Sequence, residues 1–315
     1  MTTDEKWGLV STIKAPARDI LNFVAHHLDL GAHRMHIYLD EDCPEARVAL
    51  EAHPRCFVTH TDDAYWTKRR RRPEAHQARQ TANATRAYRR RPGVTWLGHI
   101  DVDEFLWPSR TIGAQLNDLP LDALTARIRP MEALAKDPNE NRDSTWFKAC
   151  DPKQKRRNVQ TKEIYPNFGA HLNGGFLSHV SGKLFVRTGV EKLNFRIHNA
   201  FIEGEQIQNN HDLTDTRLCH FHAHDWQTWI TAFRYRLNQG SYRPSLTGSA
   251  SIGTSMHTLF TMIEDQGGES ALRDFYNEVC TATPDLRERL AKHSLLHRVD
   301  LDLDAKRARH FPEHA

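Results

Sequence analysis

GVTWLGHIDVDEFLW, from Gly93 to Trp107, is the stretch on which the fold turns. Val94, Trp96, Leu97 and Ile100 read as a short buried strand whose end delivers Asp101-Val102-Asp103-Glu104. Carboxylates at the end of a buried strand are costly unless a cation or hydrogen bonds compensate them. In an extended segment Asp101 and Asp103, at i and i+2, point to one face, where their oxygens can converge on a hard divalent ion such as Mg²⁺ or Mn²⁺. The alternative is that these acids only cap a turn or a following helix.

Upstream, Trp7 to Ile13 has the β-branched, apolar character of a first strand ending at Lys14. Pro16 suits the first turn of a helix that carries Ile20, Leu21, Val24 and Leu28 and closes at Gly31. A strand from Met35 to Leu39 leads into Asp40-Glu41-Asp42, and a helix over Glu45 to Ala52 and a strand over Cys56 to His60 follow. This β-α-β-α-β order predicts an α/β fold built on a mostly parallel sheet. Parallel sheets bind ligands beyond the carboxyl ends of their strands, which here are Lys14, Asp40 to Asp42, His60 to Asp63 and Asp101 to Glu104. No glycine-rich phosphate loop is present, so nucleotide phosphates would need a metal, a basic side chain or a helix N-terminus. Pro73 and Pro92 bracket a helix over Glu74 to Tyr88, on which Gln77, Arg79, Gln80 and Asn83 form a polar cluster; Arg79 could grip a carboxylate or phosphate.

Downstream, Ile112 to Leu119 reads as a short helix and Asp122 to Arg129 as strand or mixed. Met131 to Asn167 mixes Pro, Asn and charge and reads as a long excursion. FLSHV and KLFVRTGV predict a hairpin around Ser181-Gly182, with Lys183 and Arg187 on one face, where they could neutralise a diphosphate or form a solvent-facing stripe. In RLCHFHAHDW, His220 and His222 alternate to one face of a strand, as metal ligands or as a satisfied core histidine, and Asp225 is placed to cap a helix from Trp226 to Asn238. Helical patterning recurs at Met256 to Ile263, Ala271 to Cys280 and Leu286 to Leu296; the tail from Val299 is polar and reads as frayed or docked on a partner. The expected division is a catalytic domain over residues 1–250 and a helical extension over 251–315.

The bulk numbers fit a globular protein: 315 residues, 39% hydrophobic and 26% charged. No apolar run approaches the ~20 residues that span a bilayer, and the N-terminus lacks a signal pattern, so the expected location is cytoplasmic, with peripheral membrane attachment possible. Five cysteines without a C-x-x-C pair suggest neither a disulfide framework nor a zinc knuckle. Net charge is only +3, yet basic residues cluster at Lys68 to Arg72 and Arg86 to Arg91.

The β-α-β-α-β opening, the HQARQ helix, DVDEF, the Gly182-Lys183…Arg187 element and LCHFHAHDW, in this order, resemble a family-2-like glycosyltransferase with a GT-A-type fold, over roughly Trp7 to Arg243. The resemblance implies a mixed, mostly parallel central sheet with flanking helices, plus the C-terminal helical part. It implies transfer of a sugar, with inversion, from a nucleoside-diphosphate sugar to the hydroxyl of a glycan or surface-polysaccharide precursor. Asp101 and Asp103 would hold Mn²⁺ or Mg²⁺ with His220 as third ligand. Lys183 and Arg187 would offset the diphosphate charge, Lys14, Asp40, Arg79 and Gln80 would lie near the nucleotide, and Glu104 would face the sugar or acceptor. An inverting course needs a carboxylate base, for which Glu104 and Glu203 are the candidates. Two other classes remain open from the residues: a module binding an anionic polymer or, less in keeping with the few flanking aromatics, nucleic acid; and another metal-dependent nucleotide-processing enzyme.

Overall fold

Strand β1 (Trp7–Ile13) is buried along its whole length and sits at the centre of the sheet. In the computed structural model, which describes residues 4–69, 71–139, 145–208, 210–240, 242–244 and 255–314, the elements then follow in order. They are α1 (Ala17–Asp29), β2 (Arg34–Leu39), α2 (Pro44–Ala52), β3 (Cys56–His60), α3 (Asp63–Thr67), α4 (His76–Arg89), β4 (Trp96–His99), β5 (Glu104–Pro108), α5 (Ile112–Asn117) and β6 (Thr125–Ala133). Next come β7 (Thr145–Lys148), α6 (Gln154–Ile164), β8 (Lys183–Arg187), β9 (Leu193–Phe195), β10 (Ala200–Ile202), β11 (Glu205–Gln206) and β12 (Asn210–His220). The chain ends with α7 (Trp226–Asn238), α8 (Met256–Cys280), α9 (Pro284–Lys292), β13 (Leu296–Val299) and α10 (Leu303–His310).

Two compact units divide the chain: Met1–Arg129 with Ser181–Leu218 and Leu301–Ala315, and Pro130–Val180 with Cys219–Asp300. The first is an α/β unit with a mixed sheet and flanking helices. Its strand order is β3-β2-β1-β4-β8-β6. The first four are parallel and the next two pairings antiparallel. The core under α4 gathers Val10, Tyr38, Tyr65, Ala84, Ala87, Leu97, Leu184 and Phe195. Gly98 is required in β4, because a Cβ there would lie 2.6 Å from the Leu9 side chain and 2.7 Å from the Phe185 ring.

The polar tail does not fray. Helix α10 packs on α1, where Arg307 donates to Asn22 (2.5 Å) and Arg18 pairs with Asp304 (3.0 Å). Charged side chains supply much of this packing, with Leu301 and Phe311 buried at either end of α10, so no helical apolar pattern announced it.

In the second unit β7 pairs antiparallel with both β13 and the end of β6. The excursion from Met131 therefore contains the end of β6, β7 and α6, and the expected FLSHV strand is absent: among the described residues only KLFVR of that hairpin is a strand. The core joins Trp229, Phe233, Tyr242, Phe260, Phe275 and Tyr276. Asp225 caps α7 as expected, accepting from the Thr228 amide at 2.7 Å. Among the described residues no helix is long and apolar enough to cross a membrane.

Candidate functional site

The strand order β3-β2-β1-β4 reverses at β1, since β2 and β3 are laid down on one side of it and β4 on the other; such a switch point opens a crevice at the carboxyl edge. Helix α4 spans that edge. Arg79 donates to Asp40 at the end of β2 (2.8 Å), Asn83 donates to Thr12 on β1 (3.1 Å), and Gln80 donates to Asp101 just beyond β4. One face of one helix thus fixes three neighbouring strand ends.

Asp40 is almost fully buried, with Arg79 at 2.8 Å, Arg72 at 3.0 Å and His76 at 3.6 Å, and Thr61 donating at 3.3 Å. Burial disfavours the charged form, but hydrogen bonds from His76 and Arg79 and the charges of Arg79 and Arg72 outweigh it and hold the carboxyl at about 2. Arg72 and His76 were not anticipated as partners of Asp40. The available signals were the position of Arg72 at the end of the basic run and the i, i+3 spacing of His76 and Arg79 on a helix.

Asp101 to Glu104 is a turn and not an extended segment: the Glu104 amide donates to the Asp101 carbonyl (3.1 Å), while the Glu104 carboxylate accepts from the Asp101 amide (2.8 Å). The i, i+2 argument for a shared strand face therefore fails, and Glu104 has the capping role. Lys183 enters from β8 with its ammonium 2.6 Å from Asp101 and 3.3 Å from Glu104. Burial pushes its pKa down, yet the two carboxylates, Asp101 first, raise it well above the ordinary lysine range. His99, fully buried at the end of β4, is held down at about 4 by burial and then by the Lys183 charge.

Several expected members lie elsewhere. Arg187 pairs in register with Trp96, whereas Leu184 pairs with His99, so Lys183 and Arg187 stand at opposite ends of β8, about 13 Å apart. At that far edge Arg187 donates to the Ala123 carbonyl (2.8 Å) and stacks over Trp96. Glu203 sits in the β10–β11 turn with φ of 51°, exposed and paired with Lys192 at 2.5 Å. Lys192 lines a cavity with Lys6, Thr95 and Thr188 at the amino edge of the sheet. Glu104, expected to face the sugar or acceptor, is buried. Lys14 is exposed at the carboxyl edge and pairs with Glu41 at 2.5 Å.

His220 belongs to the second unit, its ring 5.2 Å from that of His222. Asp101 and Asp103 belong to the first unit, and among the described residues no three His, Cys, Asp or Glu side chains stand together as a ready metal cluster. The DVDE turn offers donors that match a divalent ion in kind: it carries three carboxylates with hard oxygens, two of which, those of Asp101 and Glu104, lie within ion-pair distance of Lys183. No family model matches this chain, and no curated protein matches it significantly.

Proposed function

We propose that the protein is a GT-A-type glycosyltransferase that moves a sugar from a nucleoside-diphosphate sugar to an acceptor hydroxyl. The observation that carries this reading is the carboxyl edge at the β1–β4 switch point, where α4 joins a cationic pole at Asp40 to an acidic pole at Asp101. The Asp40 pole holds two arginines against one carboxylate, and Arg72 is 40% exposed, open to an anionic ligand. That arrangement suits a nucleotide with its diphosphate leading toward the acidic pole.

At the acidic pole Asp101 and Asp103 would hold the divalent ion, which when bound supplies positive charge to the departing diphosphate. Gln80 and Lys183 fix the Asp101 carboxylate from two sides, so it is oriented before a ligand arrives. Glu104 shapes the turn through the Asp101 amide and balances Lys183; it is a positioning residue and not the base. Glu203, paired with Lys192, is not proposed as the base either.

Calorimetric titration with UDP, GDP and CDP, with and without Mn²⁺, tests the reading. One diphosphate should bind only with metal, and Asp101→Ala should abolish that binding in protein that remains folded. Absence of binding by all three, or undiminished binding in Asp101→Ala, overturns it.

A further inference from the structure

Away from the carboxyl edge, the last turn of α4 presents charges that nothing in the fold neutralises. Arg86 lies about 10 Å along the helix axis from Arg79. Arg69, from the loop after α3, packs its guanidinium 3.6 Å from the centre of the Tyr65 ring, and Arg86 lies 5.9 Å from the same ring. Arg90, the C-cap of α4, stands four residues and about one helical turn beyond Arg86 and completes the group. Burial and then Arg69 and Arg90 lower the pKa of Arg86. Among the described residues no carboxylate lies within ion-pair distance of Arg69, Arg86 or Arg90. Arg69 donates to the Tyr65 carbonyl through its terminal nitrogen, yet its Nε is buried with no hydrogen-bond partner.

A fold rarely holds like charges together beside an unsatisfied buried donor unless something supplies the missing acceptor. Open space lies beside Arg86 and Arg90, with Arg69 outside the lining of both cavities. Arg86 and Arg90 line a cavity of about 700 Å³ with Arg89, Arg196 and Asn194. Arg90 also borders one of about 610 Å³ floored by His36, Tyr38, Phe57 and Thr59 on the open face of β2 and β3. Glu51 lines that second cavity and approaches Arg47 at 3.9 Å.

We infer that Arg69, Arg86 and Arg90 form a binding site for a phosphoryl-type oxyanion, a phosphate ester whose organic part lies over Tyr38 and Phe57. Guanidinium groups match such oxygens with paired hydrogen bonds, and the bound dianion removes the mutual repulsion of the three arginines. The aromatic floor favours an ester over the bare ion. The site stands on its own residues and does not depend on the sugar-nucleotide reading.

The test is calorimetric titration of the full chain with inorganic pyrophosphate at low salt in excess chelator, which leaves a metal-dependent donor site unloaded. One saturable site is expected, weakened at least about tenfold in Arg86→Gln/Arg90→Gln and within about twofold of wild type in Lys68→Gln/Arg71→Gln. The second pair removes the same charge from the exposed loop beside the site. No saturable binding, or equal weakening in both pairs, overturns the proposal, the latter because it marks diffuse attraction. The Gln pair should keep or raise the thermal midpoint without ligand, since it relieves repulsion. If that pair unfolds, Arg86→Lys/Arg90→Lys decides: it keeps the charge but loses the fork, so a fold-retaining protein with several-fold weaker binding supports the site and unchanged binding overturns it. Co-sedimentation with phosphatidylcholine vesicles, with and without phosphatidic acid, identifies the source. Capture by the acidic vesicles that the Gln pair loses points to a lipid headgroup; binding of pyrophosphate alone points to a soluble ester.

Discussion

Lys183 shows how one side chain sets the chemistry of an edge. Its ammonium is almost fully buried beside Asp101 and Glu104, so removing it takes the nearest positive charge from two neighbouring carboxylates, one of them, Glu104, buried. Lys183→Met should therefore cost about 3–5 kcal/mol in denaturant unfolding, and adding Glu104→Gln should recover part of that loss. The double variant unfolding no later than the single one would argue against the pair as the cause. A second buried group gives a pH signature. His26 donates from Nε2 to the Leu106 carbonyl (2.7 Å) and accepts at Nδ1 from Lys306 (3.2 Å), so the folded protein holds it neutral. Burial first, then the Lys306 charge, lowers its pKa from 6.5 to about 4. The unfolded chain binds a proton near 6.5 and the folded one only near 4, so this contribution is fully present above pH 6.5 and lost as pH falls toward 4. Its size is about 3 kcal/mol. Urea midpoints of wild type and His26→Gln between pH 7 and 4.5 should converge as pH drops; parallel curves would exclude His26 as the titrating group.

At the scale of elements, β4 and α4 carry the site together, β4 by delivering the acidic turn and α4 by gripping it. Gly98 lets β4 lie between Leu9 and Phe185, and Gly98→Ala forces a methyl to 2.6–2.7 Å from them. It should cost about 1–3 kcal/mol and weaken nucleotide binding together with stability, because the displaced strand carries Asp101 with it. Lost stability with unaltered binding would separate the strand from the site. The opening strands and helices were legible because their apolar residues repeat at strand and helix periods. What the pattern does not encode is which end of a strand a residue occupies in the sheet. Lys183 and Arg187 share a face by periodicity, yet the register with β4 sends only Lys183 to Asp101. The DVDE turn was misread as extended for a related reason, since a turn closed by one carboxylate on one amide leaves no periodic trace.

For the molecule as a whole, the α/β unit is assembled from three separate pieces of chain, Met1–Arg129, Ser181–Leu218 and Leu301–Ala315. That assembly was hidden in the sequence because the last piece binds through Arg307 with Asn22, Arg18 with Asp304 and Lys306 with His26, and polar pairs of this kind read as solvent surface. The tail is therefore a structural member of the unit that holds the site. Deleting Leu301–Ala315 uncovers the buried histidines of α1 and leaves the Nδ1 of His26 without its donor. The Leu106 contacts of His26 and His27 tie α1 to β5, which follows directly from the DVDE turn, so loosening α1 reaches the acidic pole through the backbone. Hydrogen exchange on the truncated protein should show α1 and β5 amides losing protection by at least about tenfold, with metal-dependent nucleotide binding weakened in parallel. α9 in the second unit should keep its protection. Uniform loss in both units would mean that the tail stabilises the chain globally, and unchanged exchange in β5 would break the link from tail to site.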